Sequence, residues 1–222
     1  MNKPVKMKIA FAKIEEELAN PFFEIRCLGK EVIKQKTFPM DKFTETPNNF
    51  QFVEWTKEDN QEVIYYSFTD TEIGKLLIAN TSKGICFLGF ANKGKSSILK
   101  DFQCRFPGQQ FKEQSSDLQK TAVDYCNGNR KQIIFLHLKG TTFQVDIWQK
   151  LVRIPEGKLS TYGFLVPDFK GAQAIGTAVG SNPVSYIIPC HRIVKSDGNY
   201  QGYHWGSELK RQLLAYELQN IY

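Results

Sequence analysis

Residues 181–194 read SNPVSYIIPCHRIV, an apolar run that leads into a cysteine and a histidine. Asn182-Pro183 ends the helix predicted before it, because a proline cannot continue a helix. The run Val184–Ile188 is typical of a buried strand. We therefore expect Pro189-Cys190-His191-Arg192 to follow that strand in an extended segment.

Cys190 and His191 together indicate nucleophilic chemistry. A thiolate is the strongest nucleophile that proteins carry, and histidine is its usual base near neutral pH. Adjacent side chains of an extended segment point to opposite faces, so the pair would act through a water relay. Glu217, on the last predicted helix, is the candidate to orient the histidine. The alternative is a small buried thiol, which a cysteine after an apolar run usually is.

Two short helices joined by a tight turn are predicted just upstream. Thr161 can cap the first, which runs through Tyr162 and Leu165 and is broken by Pro167. The second is Gly171–Val179, whose side chains are unusually small. This pattern predicts a helix-turn-helix whose second helix lets a partner approach its backbone closely.

Two longer amphipathic helices flank this region. Thr141 or Thr142 begins one that ends by Pro155, and Ser207 begins the last one. A turn is predicted between them at Ser196–Asn199. Apolar residues at helical spacing mark the inward faces of the two helices: Phe143, Ile147, Leu151, Leu209, Leu213, Leu214 and Leu218.

Residues 62–140 predict a small α+β domain in the order β-β-β-α-α-β. The strands are expected at Val63–Phe68, Lys75–Asn80, Ile85–Phe90 and Ile133–Leu138, and the helices at Ser97–Phe106 and from Ser115 or Ser116 to Gly128. Three domains follow from this organisation. Residues 1–61 form an N-terminal extension that either adds to the sheet or forms a partner surface. Residues 62–140 form the α+β domain, and residues 141–222 form the C-terminal domain.

Composition bounds the function class. The chain has 222 residues, 41% of them hydrophobic, which is enough to bury a core. No apolar run approaches the roughly 18 residues that span a bilayer, and the N-terminus lacks an apolar signal region. The cytosol, or the nucleus of a eukaryote, is the expected compartment. The net charge of +6 permits nucleic-acid binding, and no Asp or Glu lies between Asp168 and Asp197.

Five cysteines lie at wide spacing, which argues against a disulfide framework and against a cysteine-rich zinc site. Four of them are predicted to be buried core thiols: Cys27, Cys86, Cys104 and Cys126. Trp148 is likewise expected to be a core aromatic of its helix.

The stretch at 181–194 resembles the signature of the O6-alkylguanine-DNA alkyltransferase family, Asn-Pro followed by Ile-Pro-Cys-His-Arg-Val. The resemblance covers about residues 62–222 and is strongest from 142 to 217. Further matches lie at Phe143-Gln144, Ile147-Trp148, Leu151, Ile154-Pro155, Gly157, Thr161-Tyr162-Gly163, Asp197-Gly198, Gly202-Tyr203-His204-Trp205-Gly206, Lys210, Leu213-Leu214 and Glu217. It implies a ribonuclease H-like N-terminal domain and a helix-turn-helix, winged-helix-like C-terminal domain rich in α-helix.

The resemblance implies a DNA-repair protein that acts once. Such a protein binds duplex DNA through the minor groove, flips out a guanine alkylated at O6, and takes the alkyl group onto its cysteine. It needs no cofactor and is expected to be a monomer. Some relatives carry a structural zinc, but no ligand spacing around Cys86 and His137 supports one, so no metal is predicted.

The resemblance also implies a role for each site residue. Cys190 is the acceptor, His191 its base through a water, and Glu217 the group that orients His191. Tyr203 donates to the guanine ring in the transition state, and the backbone amide of His204 approaches O6.

The remaining implied contacts position the base and the DNA. The carbonyls of Cys190 and Ile193 accept from the exocyclic amine of guanine, and Asn182 braces the turn before the site. Tyr162 crowds the 3′ phosphate. Contact with DNA or substrate is further predicted for Gln173, Ala174 and Arg192.

Two features depart from the family pattern. Gln173 stands where the family usually inserts an arginine, and the turn before the recognition helix is about three residues shorter than is usual for a helix-turn-helix. Both bear on base flipping rather than on the cysteine chemistry. From the sequence, Tyr203 can also be a structural tyrosine and Glu217 a solvated helix residue.

Three rival functions remain open. An alkyltransferase-like sensor binds and flips lesions without removing them, but such relatives lack the cysteine that this chain has. A transcriptional regulator with an alkylation-sensing zinc domain needs clustered cysteines, and residues 1–60 contain only Cys27. A cysteine hydrolase needs an oxyanion hole and a deacylating water, and no hydrolase motif is present.

Overall fold

The computed structural model describes residues 46–166 and 171–219. Within them the chain forms two compact units. One, the sheet unit, holds residues 46–153 and 177–190, and the other, the helical unit, holds 154–166, 171–176 and 191–219. Cys27, Pro167 and the predicted helix-turn-helix turn lie outside the described residues.

A six-stranded mixed sheet in the order β1-β6-β4-β3-β2-β5 forms the centre of the sheet unit. Strands β2, β3 and β4 make an antiparallel meander, while β1 with β6 and β2 with β5 pair in parallel. The strands are β1 (Phe50–Glu54), β2 (Val63–Thr71), β3 (Gly74–Asn80), β4 (Ile85–Phe90), β5 (Gln110–Glu113) and β6 (Ile134–Leu138). The predicted α+β class is confirmed, and so are four predicted strands.

The sequence did not predict β5, one of the two edge strands. β5 reads QFKE and has one apolar residue, Phe111, so it shows no alternation to detect. It exists because its backbone pairs with β2 at four positions. The other edge strand, β1, pairs with β6 and so agrees with the first of the two alternatives for residues 1–61, extension of the sheet. The three predicted domain boundaries stay a prediction.

Three helices complete the sheet unit: α1 (Lys95–Arg105), α2 (Asp117–Cys126) and α3 (Thr142–Leu151). Ser116 caps α2, and Thr141 caps α3 through a reciprocal capping box with Gln144. Trp148 is a core aromatic as predicted, and its indole N–H donates to the Ala178 carbonyl at 2.8 Å. Within the sheet unit, this hydrogen bond joins α3 to the segment 177–190.

The core thiols are predicted correctly at two of the three described positions. Cys86 and Cys126 are buried, and burial raises the pKa of both thiols, that of Cys126 to about 12. The prediction for Cys104 is wrong, because that side chain is exposed. α1 turns Ile98 and Phe102 inward, and Cys104, two residues after Phe102, falls on the solvent side.

The run Val184–Ile188 is buried but is not a strand, so that prediction is wrong. It makes only isolated bridges, Leu88 with Val184 and Ser185 with Ile188. Tyr186 has a φ of 70°, in the left-handed region, which turns the chain back on itself. A pattern of apolar residues predicts burial here but not the backbone conformation.

The helical unit contains a two-stranded parallel ribbon and three helices. β7 (Ser160–Thr161) pairs with β8 (Ile193–Val194). The helices are α4 (Tyr162–Leu165), α5 (Ala172–Gly180), whose last four residues belong to the sheet unit, and α6 (Ser207–Gln219). The turn at Ser196–Asn199 is confirmed, since Lys195 N donates to the Asn199 carbonyl at 2.9 Å. None of the helices in 46–166 or 171–219 is long and apolar enough to cross a bilayer.

Candidate active site

Cys190 begins a single 3₁₀ turn, Cys190–Arg192, at the end of the buried loop 182–190. The prediction of an extended segment is therefore wrong. In a 3₁₀ turn, successive side chains are rotated by about 120° rather than placed on opposite faces. Cys190 is 7% exposed, so the residue is nearly buried.

Asn182 contacts the sulfur directly. Its side-chain amide donates to the Ile188 carbonyl at 2.7 Å and to Cys190 Sγ at 3.1 Å, while its Oδ1 accepts from Val184 N at 3.0 Å. All three partners belong to the loop that leads to the cysteine. Asn182 thus shapes this loop, and its N–H favours a thiolate over a thiol because a hydrogen bond to the charged form stabilises that form.

The helical unit holds a buried pair formed by His191 and Glu217. His191 Nε2 lies 2.7 Å from Glu217 Oε1, and both side chains are fully buried. Burial lowers the pKa of His191, against the opposing charge of Glu217. Burial raises the pKa of Glu217, but the charge of Arg192 and the hydrogen bonds from His191 and Arg192 outweigh it and leave the pKa lowered.

These directions define the protonation state of the pair. Glu217 is ionised and can only accept, so Nε2 of the neutral His191 carries the hydrogen and donates. Nδ1 is then the ring nitrogen that can take a proton. An imidazole fixed in this tautomer by a carboxylate is the arrangement that a general base requires.

Arg192 is buried and binds Glu217, and its predicted contact with DNA stays a prediction. Its Nε lies 3.0 Å and its Nη2 2.7 Å from Glu217 Oε1, and its Nη1 donates to the Ile154 carbonyl. The guanidinium is occupied inside the protein because it supplies the positive charge that keeps the buried carboxylate ionised. Arg192 thus lowers the pKa of Glu217 and fixes the position of its carboxylate.

Lys210, on α6, lies beside the candidate site, and the sequence predicted no role for it. It is 3% exposed, and its ammonium donates to the Ile193 carbonyl, one of the two carbonyls expected to select guanine. Its Nζ also lies 5.9 Å from the ring centroid of Tyr203. The only sequence signal for Lys210 is its position in the family spacing, since a lysine on a helix otherwise predicts a solvated side chain.

Tyr203 and His204 lie in a short segment between two glycines. Gly202 and Gly206 have φ values of 88° and 101°, which a residue with a side chain rarely adopts. Tyr203 is half-buried and His204 is exposed. His204 packs edge-on against Trp205, with ring centroids 4.6 Å apart.

The residues predicted to touch DNA outside this core are accessible. Tyr162, at the start of α4, is half-buried. Gln173 and Ala174, in the first turn of α5, are exposed. A Cβ at Gly176, farther along α5, would meet open space. Apart from Gln173, the accessible face of this helix is therefore made of small side chains, as its sequence predicted.

His137 belongs to a separate buried cluster in the sheet unit. Its Nδ1 lies 2.6 Å from Thr81 Oγ1 and its Nε2 3.2 Å from Asp59 Oδ2, and Lys83 also binds Asp59. In residues 46–166 and 171–219, no group of three or more His, Cys, Asp or Glu side chains is arranged to hold a metal ion.

Comparison with known proteins decides the family. A model described as 6-O-methylguanine DNA methyltransferase, DNA binding domain, matches residues 142–219, and the ribonuclease-like domain of the same enzyme matches 64–101. The inducible methylated-DNA–protein-cysteine methyltransferase of Bacillus subtilis is 34% identical over 72% of this chain and 93% of its own. This chain belongs to the methylated-DNA–protein-cysteine methyltransferase family.

Two further methyltransferases of this family extend the likeness. The relative from Haemophilus influenzae is 36% identical over 69% of this chain and 86% of its own. The crystal structure of Mycobacterium tuberculosis OGT in complex with DNA has a TM-score of 0.56 and 28% identity, covering 70% of this chain and 93% of that one. The resemblance recognised in the sequence is confirmed.

The family models fall on definite elements of this methyltransferase. The ribonuclease-like range contains β3, β4 and nearly all of β2, and the DNA-binding range runs from α3 to α6. β1 and the 3₁₀ turn Glu58–Gln61 that follows it precede both ranges. Three strands of the sheet, β1, β5 and β6, therefore lie outside the matched ranges.

Proposed function

We propose that the protein repairs DNA by direct reversal, transferring the O6-alkyl group of a guanine in duplex DNA to Cys190. The observation that carries the proposal is a nearly buried cysteine whose sulfur accepts from Asn182, followed in the chain by a histidine fixed on an ionised carboxylate. This pattern suits a thiolate nucleophile and its general base. The transfer is irreversible, so each molecule acts once.

In the proposed mechanism the alkyl group moves from O6 of guanine to the sulfur of Cys190 in one displacement. His191 takes the thiol proton at Nδ1 through a water, and the thiolate attacks the alkyl carbon in line with O6. An Sγ–C bond forms while the C–O6 bond breaks, and its electron pair passes to the guanine. The phenol of Tyr203 donates toward the ring and stabilises the charge that develops there. The guanine anion takes up a proton from water, and His191 releases to water the proton that it accepted, so guanine is restored. The thioether on Cys190 is stable to water.

The recognition of guanine is assigned to backbone groups. The carbonyls of Cys190 and Ile193 accept from the exocyclic amine, and the amide of His204 approaches O6. A carbonyl oxygen has two lone pairs, so the bond from Lys210 leaves Ile193 able to accept a second time. Lys210 would also hold that carbonyl in a fixed direction.

Binding to DNA is assigned to a winged-helix-like domain with a helix-turn-helix formed by α4 and α5. We propose that α5 enters the minor groove, that Gln173 and Ala174 contact the DNA there, and that Tyr162 crowds the 3′ phosphate so that the nucleotide rotates outward. The net charge of +6 favours binding to a polyanion. We further propose that the protein acts as a monomer in the cytosol, or in the nucleus of a eukaryote.

Mass spectrometry tests the function. The protein is incubated with a duplex that contains one O6-methylguanine, beside a Cys190→Ser variant and an unmodified duplex. We expect a stoichiometric gain of one methyl group on the Cys190 peptide, absent from both controls.

The contrary outcome has a definite meaning. Tight binding to the lesion with no gain of mass would instead indicate a damage sensor that recruits other repair proteins. The exposed Gln173, where the family usually has an arginine, is the feature that favours this second function.

A further inference from the structure

The loop that delivers Cys190 is fastened to the central sheet. Leu88 N, in β4, donates to the Pro183 carbonyl at 2.9 Å, and Ser185 N donates back to the Leu88 carbonyl at 2.9 Å. Within the loop, Ile188 N donates to the Val184 carbonyl at 2.9 Å. β4 therefore fixes the first half of the loop as if it were a short extra strand.

The second half of the loop depends on an unusual backbone conformation. Tyr186 has a φ of 70° and is the only residue other than glycine with a positive φ in the described ranges. A tyrosine in the left-handed region is strained unless its surroundings hold it there. Its side chain is 1% exposed, so the conformation is set by what the ring contacts inside the protein.

Arg130 supplies such a contact. It lies in the loop between α2 and β6, and its Nη2 donates to the phenol oxygen of Tyr186 at 3.2 Å. Its guanidinium carbon also lies 3.9 Å from the ring centroid of Tyr125, at the end of α2. The arginine is thereby stacked on one tyrosine while it holds the other.

We propose that Arg130 and Tyr186 are positioning residues for the alkyl transfer, a role that rests on the proposed function. Tyr186 lies two residues before Ile188, whose carbonyl accepts from Asn182, and the same amide of Asn182 donates to Cys190 Sγ. Relaxation of Tyr186 to an ordinary φ would shift that carbonyl and move the amide away from the sulfur. The pair thus keeps Asn182 on the reacting atom.

Two substitutions test the proposal while preserving the core. Tyr186→Phe removes only the phenol oxygen, and Arg130→Lys keeps the charge but loses the stacked, directed guanidinium. Lys131→Ala, at the exposed neighbouring position, is the control. Each protein is measured for the affinity for lesion DNA, the single-turnover methyl-transfer rate constant at saturating DNA, and the pH dependence of Cys190 alkylation by iodoacetamide.

We expect Tyr186→Phe to slow methyl transfer by about five- to tenfold, the size of one lost hydrogen bond. The dissociation constant for DNA should stay unchanged, and the apparent pKa of the Cys190 thiol should rise. Arg130→Lys should act in the same direction, and the double variant should be no slower than the slower single variant, because the two residues act through one contact.

Unchanged transfer rates and an unchanged thiol pKa in both variants would overturn the proposal, and so would additive effects in the double variant. The thiol measurement needs no DNA. It therefore tests the role of Arg130 and Tyr186 even if the wild-type protein takes up no methyl group. That outcome would contradict the proposed function instead.

Discussion

At the scale of single residues, the site depends on which polar groups are buried together. Glu217 is fully buried and accepts from His191, Arg192 and, at 3.3 Å, the backbone N of Gly157. The sequence placed Glu217 on the last helix, but left open whether it is solvated. Its burial decides this, because a carboxylate in the interior stays ionised only when cations and donors surround it.

Replacement of Glu217 by glutamine should harm both stability and chemistry. Removing one partner of a buried ion pair leaves Arg192 uncompensated, which costs about 3–5 kcal/mol of unfolding free energy. The methyl-transfer rate constant should fall as well, because His191 loses the acceptor that fixes its tautomer. Urea unfolding and single-turnover kinetics measure the two effects. Glu208→Gln, on the exposed face of the same helix, should change neither by much.

Acid should destabilise the folded protein. The pKa values of His191 and Glu217 are both lowered in the folded state. The unfolded chain therefore binds protons more readily, from about pH 6.5 downward for histidine and about pH 4.3 for glutamate. The contribution of His191 and Glu217 to the unfolding free energy should be greatest above pH 6.5. It should fall in these two steps as the pH drops.

Urea unfolding of the protein at a series of pH values checks this dependence. In Glu217→Gln, the part of the decrease that begins near pH 4.3 should be smaller than in the wild type. A stability that rises as the pH falls from 6.5 would contradict the assigned protonation states.

At the scale of elements, α5 presents small side chains and one exposed Gln173 in its first turn. Local signals predicted this helix well, because its alanines favour a helix and Asn182-Pro183 ends it. They did not predict the loop that follows, where the apolar run 184–188 is held by β4 rather than paired as a strand.

A substitution of Gln173 by arginine should strengthen DNA binding. An added cation at a protein–DNA contact releases about one more counterion, so the slope of log affinity against log salt should steepen by about 0.9. The rate of methyl transfer at limiting DNA should rise with it. Fluorescence anisotropy measures the affinity for lesion duplexes at salt concentrations from roughly 50 to 200 mM, and the slope follows from these values.

Gln114→Arg is the matched control, because it adds the same charge at an exposed position of the sheet unit. It should leave the salt slope unchanged. Equal slopes for the two variants would show that Gln173 lies outside the DNA contact and would count against α5 as the recognition helix.

At the scale of the whole molecule, residues before the matched ranges are built into the sheet. β1 pairs with β6 at five positions, from Phe50 with Ile134 to Glu54 with Leu138. Asp59 accepts from Thr56 N at 2.7 Å and binds Lys83 and His137. Burial raises the pKa of Asp59, but these donors outweigh it and lower the pKa, so this buried carboxylate is ionised.

Deletion of residues 1–61 should therefore leave an insoluble or poorly folded protein. The truncation exposes the edge of β6 and removes the carboxylate that compensates Lys83 and forms a hydrogen bond with His137. Soluble yield and the thermal unfolding midpoint are the measurements, and a chain that begins at residue 46 separates the loss of β1 from the loss of what precedes it. A fully stable protein without residues 1–61 would show that the sheet is complete without β1.

The sequence by itself determined the family, the α+β class and most of the helices and central strands. Those features rest on local signals, such as the caps at Ser116 and Thr141, the alternation of β2, and the fixed spacing around Cys190. Only the tertiary structure decided the edge strands, the 3₁₀ turn at Cys190, the interior place of Arg192 and the exposure of Cys104. The physical reason is that these depend on partners distant in the chain, such as Glu217 for Arg192 and β2 for β5, which no local pattern encodes.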